Sequence, residues 1–325
     1  MNNGYQIDFL SFTLPTGHLP LAMKLLHAFD LQPQEKGLYG YMFSYSAVGC
    51  RLLFTPDRSD VHIQLSGRGC DNFDCMNLPQ NAKITRLDLA FDSYDGAYTT
   101  DDVWGCLLQG KTAGTARTID GFMGFTGKTA GRTIYVGSPK SNTRLRIYDK
   151  AAEQGISVDQ RIDYKDWSRY ELQLRSDFAH ATYTQLKASL TDTVYLQTAI
   201  FDIFTAILKP LFMVCDDVQI KYKELSHKGS RVPSPAWSAM FSQFTVDRPK
   251  VPHRVPTLRN LTKYVMNAAA SYKALSLVFD GFEDCFHEKV SDISFSEKHE
   301  ELMIDYCPMT IDTEAAERHY YNQPF

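Results

Sequence analysis

No stretch of this 325-residue chain approaches the ~20 consecutive apolar residues that cross a bilayer, so a membrane-spanning helix is not expected. The opening MNNGYQIDFLSFTLP has no basic segment and carries Asp8 inside its apolar run, which predicts a first strand and not a secretion signal. The seven cysteines are an odd number, scattered at 50, 70, 75, 106, 215, 285 and 307, and no CxxC pair occurs. That pattern disfavours a structural zinc and suits free thiols in a reducing cytoplasm. GxxxxGK[ST] is missing: GSPKSN at 137–142 has one glycine, and GKTAGR at 127–132 lacks the upstream spacing. A nucleotide-driven motor is therefore disfavoured, and the absence of GxSxG removes a serine-hydrolase elbow. The nine histidines never pair as HxH or HExxH, so a histidine-held metal has no support, and His62 alone in VHIQLSG is an ordinary strand histidine.

What is present is an uneven distribution of charge. The net charge is −4, but residues 280–318 hold twelve Asp/Glu against three Lys/Arg, a local −9 that leaves +5 for the rest. Residues 220–254 hold seven Lys/Arg against two acids, and 132–150 hold five against one. Basic segments of this kind suit phosphate, although a basic loop can equally be a solvated one. The acidic segment either folds back to compete with phosphate or serves as a solvated tail.

Three segments alternate in the same way. In RLRIYDK, Arg144, Arg146, Tyr148 and Lys150 fall on one face of an extended strand, with Leu145 and Ile147 on the other. RLDLAFD places Arg86, Asp88 and Asp92 opposite Leu87, Leu89 and Phe91; RYELQLR places Arg169, Glu171, Gln173 and Arg175 opposite Tyr170, Leu172 and Leu174. Antiparallel strands often expose charges on a wet side without further purpose. Three strands that share Arg with carboxylate, one of them adding Tyr and Lys, point instead to one sheet face equipped for chemistry.

The remaining pattern predicts an α+β fold with an antiparallel sheet and helices on one face, with a weak echo between two similar α+β halves. Strands are expected near 5–13, 39–46, 51–55, 61–66, 84–92, 132–137, 143–149 and 168–175, and helices near 19–30, 99–110, 177–190 and 194–209. The glycine-rich stretch 110–131 is expected as loop, and GSPKSN as a hairpin turn. Four parts follow: 1–81 as an N-terminal α+β unit, 82–215 as a catalytic sheet domain, 216–279 as a basic proline-punctuated arm with a helix over 257–279, and 280–325 as the acidic segment.

A tyrosine among cations and carboxylates suits phosphodiester cleavage. Free phenol has a pKa near ~10, and neighbouring Arg146, Lys150 and a metal would favour its anion and offset charge growing on phosphate. Lys150 is also placed to protonate the leaving oxygen. With no HxH pair, a cation must rest on oxygen ligands, for which Asp88, Glu171 and Asp92 are the candidates; such carboxylates favour Mg²⁺ or Mn²⁺. Ion pairs with Arg86, Arg169 and Arg175 are the alternative role for these acids, and packing is the alternative role for Tyr148.

TRLDLAFD, TIYVGSPKSNTRLRIYDKAAE and RYELQLR, in that order and at similar separations, resemble the rolling-circle replication initiators of the Rep_trans type. IDFLSFTL and HIQLSGRGC resemble the family's N-terminal region, and PAWSAMF with TLRNLTKYV its C-terminal part. The resemblance implies a nickase and strand transferase that cuts one DNA strand at an origin, keeps its 5′ end on tyrosine, leaves a 3′-OH for polymerase and later rejoins the strands. Tyr148 matches the nucleophile, Asp88 and Glu171 the metal positions, and Arg146 and Lys150 the flanking basic residues. Arg132, Arg144, Lys221, Lys223, Lys228 and Arg231 are the expected DNA contacts. Origin duplex and nicked single strand, with the host helicase and polymerase, are the implied partners in a bacterial cytoplasm; a homodimer is compatible with this and no membrane is involved. A DNA-binding regulator of the same fold that does not nick, or an RNA-binding α+β protein, are the alternatives.

Overall fold

The computed structural model describes residues 4–94, 97–124, 131–156, 167–191, 194–217, 232–241 and 247–250, together with Tyr272, Lys273, Ser276 and Leu277. The chain divides into two compact units, Met1–Val251 and Pro252–Phe325. The fold below is that of the first. Apart from those last four residues, the helix expected over 257–279 and the acidic segment lie outside the described residues, as do Lys221, Lys223, Lys228 and Arg231.

β1 (Gly4–Pro15) leads through α1 (Leu19–Leu25) to β2 (Gln32–Pro33), β3 (Phe43–Ala47), β4 (Cys50–Phe54) and β5 (Asp60–Ser66), followed by the single turn α2 (Arg68–Asp71). The chain then runs through β6 (Lys83–Ser93), α3 (Thr100–Leu108), β7 (Thr112–Ala113), β8 (Ile119–Met123), β9 (Arg132–Val136), β10 (Thr143–Asp149), α4 (Lys150–Glu153) and β11 (Ser168–Arg175). α5 (Ser176–Ser189), α6 (Leu196–Leu211), β12 (Met213–Val214) and α7 (Pro235–Phe241) follow. Ten strands form one antiparallel sheet in the order β2-β3-β4-β5-β1-β6-β11-β10-β9-β8, while β7 pairs with β12 separately.

That order contains a repeat. From the centre outward, one half reads first strand, last strand, then the intervening strands in reverse (β1-β5-β4-β3-β2), and the other half reads the same way (β6-β11-β10-β9-β8). A helix follows the first strand in both. The echo faint in sequence is therefore complete in topology. Segments 1–81 and 82–215, expected as separate units, are joined where β1 pairs along β6, and their apolar side chains form one core.

All three alternating strands turn their apolar faces to the helices. Leu87, Leu89 and Phe91, Tyr170, Leu172 and Leu174, and Leu145 and Ile147 are buried in that core with Phe178 and Leu186 of α5 and Ile200, Ile203, Phe204 and Ile207 of α6. Phe91 stacks on Tyr5 at 4.6 Å, and Trp237 and Phe241 of α7 close the aromatic cluster against Tyr170. α3 starts in a capping box: Thr99 accepts from the Asp102 amide, and Asp102 accepts from the Thr99 amide.

Two bulges shift the alternation where the halves meet. On β1, Ile7 faces the core with Leu10, so Asp8 and Phe9 both reach the polar face. On β6, Ile84 and Leu87 face the core, so Thr85 and Arg86 both reach it; Thr85 meets Ser11 at 2.8 Å. β8 lies in the glycine-rich stretch expected as loop. Gly121 within it lets Trp104 of α3 pack where a Cβ would collide with the indole ring at 2.1 Å, so the residue that weakens the strand signal is required by the packing.

Phe204 is fully buried at the centre of this core, whereas Tyr195, at the start of the same helix, is 74% exposed. Phe204→Ala should cost ~3–5 kcal/mol in urea unfolding, and Tyr195→Ala less than ~0.5 kcal/mol. Equal losses would show that α6 is not held by this face.

Candidate active site

β6, β11 and β10 are neighbours, so their polar faces form one surface. Register sets Tyr148 opposite Arg169 and Arg169 opposite Asp92; Arg146 is opposite Glu171, and Gln173 opposite Asp88. The surface is not a wet one. Tyr148, Asp88, Asp92, Lys150, Arg169, Glu171 and Gln173 are all buried, and charges in such a place must be paired.

Arg169 supplies the strongest pairing. Its Nε and Nη2 donate to the two oxygens of Asp92 at 2.8 and 2.6 Å, and Nη1 donates to Asp8 at 2.6 Å. Trp167 Nε1 donates to Asp92 at 3.0 Å. Burial alone would lower the Arg169 pKa, but the Asp92 hydrogen bonds and the charges of Asp92 and Asp8 outweigh it and the net shift is upward. Asp92, one of three expected metal ligands, therefore has both oxygens committed to a structural clamp.

Tyr148 lies beside this clamp. Its hydroxyl donates to Glu171 Oε2 at 3.3 Å, Gln173 Nε2 donates to Oε1 at 3.1 Å, and Arg146 Nη1 stands 3.6 Å from Oε2. The cations do not flank the hydroxyl as expected. The Arg146 guanidinium lies over the phenol ring, 3.9 Å from its centroid, and Lys150 Nζ is 5.7 Å from it, paired with Glu153 at 2.7 Å. Burial first, then the Glu171 charge, pushes the Tyr148 pKa well above the ordinary phenol value; Arg169 and Arg146 oppose this without cancelling it. Arg146 Nε is buried and has no hydrogen-bond partner among the described residues.

Asp88 accepts from Arg86 at both oxygens, from Nε at 2.9 Å on one and from Nη2 at 2.5 Å on the other. Burial pushes its pKa up to about 7; the Arg86 hydrogen bond and charge pull it down, and Glu171 and Asp8 add to the rise. Arg86 is half-buried where Arg169 is buried, so a divalent ion held by the oxygens of Asp88 and Glu171 would have to displace Arg86, and Asp92 is closed to it. Among the described residues no three His, Cys, Asp or Glu side chains are grouped to hold a metal by themselves. Asp8 is the acid that the alternation overlooked; the phase slip between Ile7 and Leu10 is the signal that marks it.

The expected DNA contacts separate. Arg144 lies on the polar face, over the Tyr135 ring at 4.0 Å and bonded to the Gly137 carbonyl. Arg132 precedes Thr133, the residue opposite Tyr148, and therefore points to the helix side, where it pairs with Asp101 at 2.9 Å and faces Trp104. The structure does not bring it to Tyr148.

Residues 82–291 match the family described as Replication initiation factor, Rep_trans. That span covers most of the chain, and the chain belongs to this family. It is 29% identical over 175 residues to the "Putative DNA relaxase NicK" of Bacillus subtilis (strain 168), an alignment covering 47% of this chain. The chain spans about half the length of that relative, 49%. The fold is shared with the rolling circle replication initiator protein from Geobacillus stearothermophilus, with a TM-score of 0.59 at 20% identity over 76% of this chain and 100% of that one. Among the described residues no helix is long and apolar enough to cross a membrane.

The raised Asp88 pKa sets a direction for stability. The folded chain holds this proton up to about 7, and the unfolded chain releases it near the ordinary 3.8. The contribution is full below the unfolded value and is lost as pH rises through the folded one. Urea unfolding in chelator should therefore show wild-type stability falling between about pH 4 and pH 7, with the fall reduced in Asp88→Asn. Identical slopes in the two proteins would assign the titration to another group.

Proposed function

We propose that this chain initiates rolling-circle replication by nicking one strand of an origin with Tyr148. The observation that supports this reading most is a tyrosine hydroxyl bonded to a buried carboxylate, with an arginine across its ring whose Nε lacks a partner. A phenol held protonated by burial needs a base at the moment of attack, and Glu171 already accepts its hydrogen bond. The proton passes to Glu171, the phenol oxygen bonds to phosphorus, and the bond from phosphorus to the 3′ oxygen breaks. The departing oxygen takes a proton, from Lys150 or water, to give the 3′-OH. The 5′-phosphotyrosine conserves the bond energy, and reversal of the same exchange rejoins the strand. Arg146 offers its free Nε to a phosphate oxygen. Asp88 and Glu171 would hold Mg²⁺ or Mn²⁺, which supplies Lewis-acid charge to the phosphate.

A regulator that binds DNA without nicking is the second reading, favoured by the burial of Tyr148 in this structure. Supercoiled plasmid carrying the element's own origin, incubated with Mg²⁺ or Mn²⁺, separates the two. Wild type should give open circles and an SDS-resistant protein–DNA adduct, and chelator should abolish both. Tyr148→Phe should retain binding and lose nicking by at least ~10³-fold. Full nicking by Tyr148→Phe would remove Tyr148 from the reaction, and no nicking by wild type would favour the regulator.

The basic arm at 216–256 is proposed to contact duplex phosphates. Replacing Lys221, Lys223, Lys228 and Arg231 with Ala should weaken all DNA sequences alike, and the salt slope should fall by about one unit per lost contact. An unchanged slope would make the arm a solvated loop.

A further inference from the structure

The topological repeat gives the first half its own version of the sheet face that carries Tyr148. β4, β5 and β1 occupy the places that β10, β11 and β6 hold in the second half. Over that face lies an open cleft of about 790 Å³, whose walls include Tyr39, Tyr41, Arg51, His62, Gln64 and Arg86. None of the nucleophile and carboxylate pairing of the second half is repeated there. The lining is aromatic and cationic instead, and its one carboxylate, Asp60, is taken by Tyr41 and Arg58.

Three observations point to a ligand. Arg51 Nε is buried without a hydrogen-bond partner among the described residues, a donor left for an anion. Arg58, Tyr41 and His62 form a continuous stack, with Arg58 4.1 Å over the Tyr41 ring and His62 nearly parallel to it at 6.0 Å. Tyr39 stands edge-on to His62 at the mouth, 69% exposed, with its backbone at φ +53°. A bulky residue in the left-handed region is strained, and an exposed ring gains no core packing to offset that strain. Its position over the cleft is the compensation that can be identified.

We propose that this cleft takes an unpaired nucleotide of single-stranded DNA, its base stacked on Tyr39 and its phosphate on Arg51. Aromatic faces beside cations bind bases exposed by strand opening, whereas a paired duplex presents no free base faces. The volume lies within the ~300–1,000 Å³ of ordinary ligand sites. Arg86 both lines the cleft and pairs with Asp88, so a strand lying in the cleft continues toward Tyr148. This deepens the nicking reading and rests on it: the first half holds the strand that the second half cuts.

The test uses the full chain and fluorescein-labelled dT15, read by anisotropy at fixed salt. Tyr39→Gly and Arg51→Gln should each weaken binding at least about fivefold, the lower end for losing one base stack. Glycine accepts the backbone at 39, so the thermal midpoint of Tyr39→Gly should equal or exceed that of wild type. With 5-iododeoxyuridine in dT15, photo-cross-linking should label the peptide containing Tyr39. A loss below fivefold in either variant, cross-links confined to 143–175, or tighter binding of rU15 than dT15 would overturn the proposal. Affinity is measured without cleavage. Intact wild-type nicking with unchanged affinity in the variants sinks the cleft alone, and weakened variants with no wild-type nicking sink the nicking reading alone.

Discussion

Arg169 ties the centre of this molecule together. Its guanidinium sits on β11, clamps Asp92 of β6 through two parallel hydrogen bonds and reaches Asp8 on β1. These strands span the seam between the halves. A buried arginine with two carboxylates is costly to form, but removing one member would leave charge stranded at ~3–5 kcal/mol, so the three strands are held in one register. Lysine could not replace it, because a point charge lacks the planar fork that addresses two acids. The bulge at Asp8 belongs to the same arrangement: without the extra residue, the acid and Phe9 could not both reach the polar face.

The chemistry depends on that clamp. With Asp92 and Asp8 neutralised by Arg169, the charge of Glu171 is left to act on Tyr148 and Asp88. Asp88 and Tyr148, buried beside Glu171, both hold their protons more tightly than they would in water. On the nicking reading, a cation and a phosphate would each relieve one side of this imbalance: the carboxylates near Asp88 and the guanidinium nitrogen of Arg146 that has no partner among the described residues.

The repeat gives a reason for the division of labour. One topology, used twice about an antiparallel β1–β6 seam, produces two equivalent polar faces. One carries a buried tyrosine and acids; the other carries rings and arginines. The hairpin linking β3 to β4 shows how closely the first half is built, since Gly49, at φ +72°, approaches the Gly69 backbone so tightly that a side chain would collide with it.

Alternation of apolar and charged residues was enough to read three central strands, the side each presents to the helices, and the gathering of Tyr148, Arg146, Asp88 and Glu171, because a period of two leaves a strand only one way to bury its leucines. Other features arose only from tertiary structure. Gly121 hides β8 because its smallness serves Trp104, a partner distant along the chain. Asp8 comes to the network through a bulge, which breaks the period that identified its neighbours. Arg132 is part of the same basic segment as Arg146 yet emerges on the helix side, since one residue of parity reverses the face. The elevated pKa of Tyr148 also lies beyond local sequence: nearby cations favour the anion, but burial and Glu171 from the adjacent strand decide the outcome.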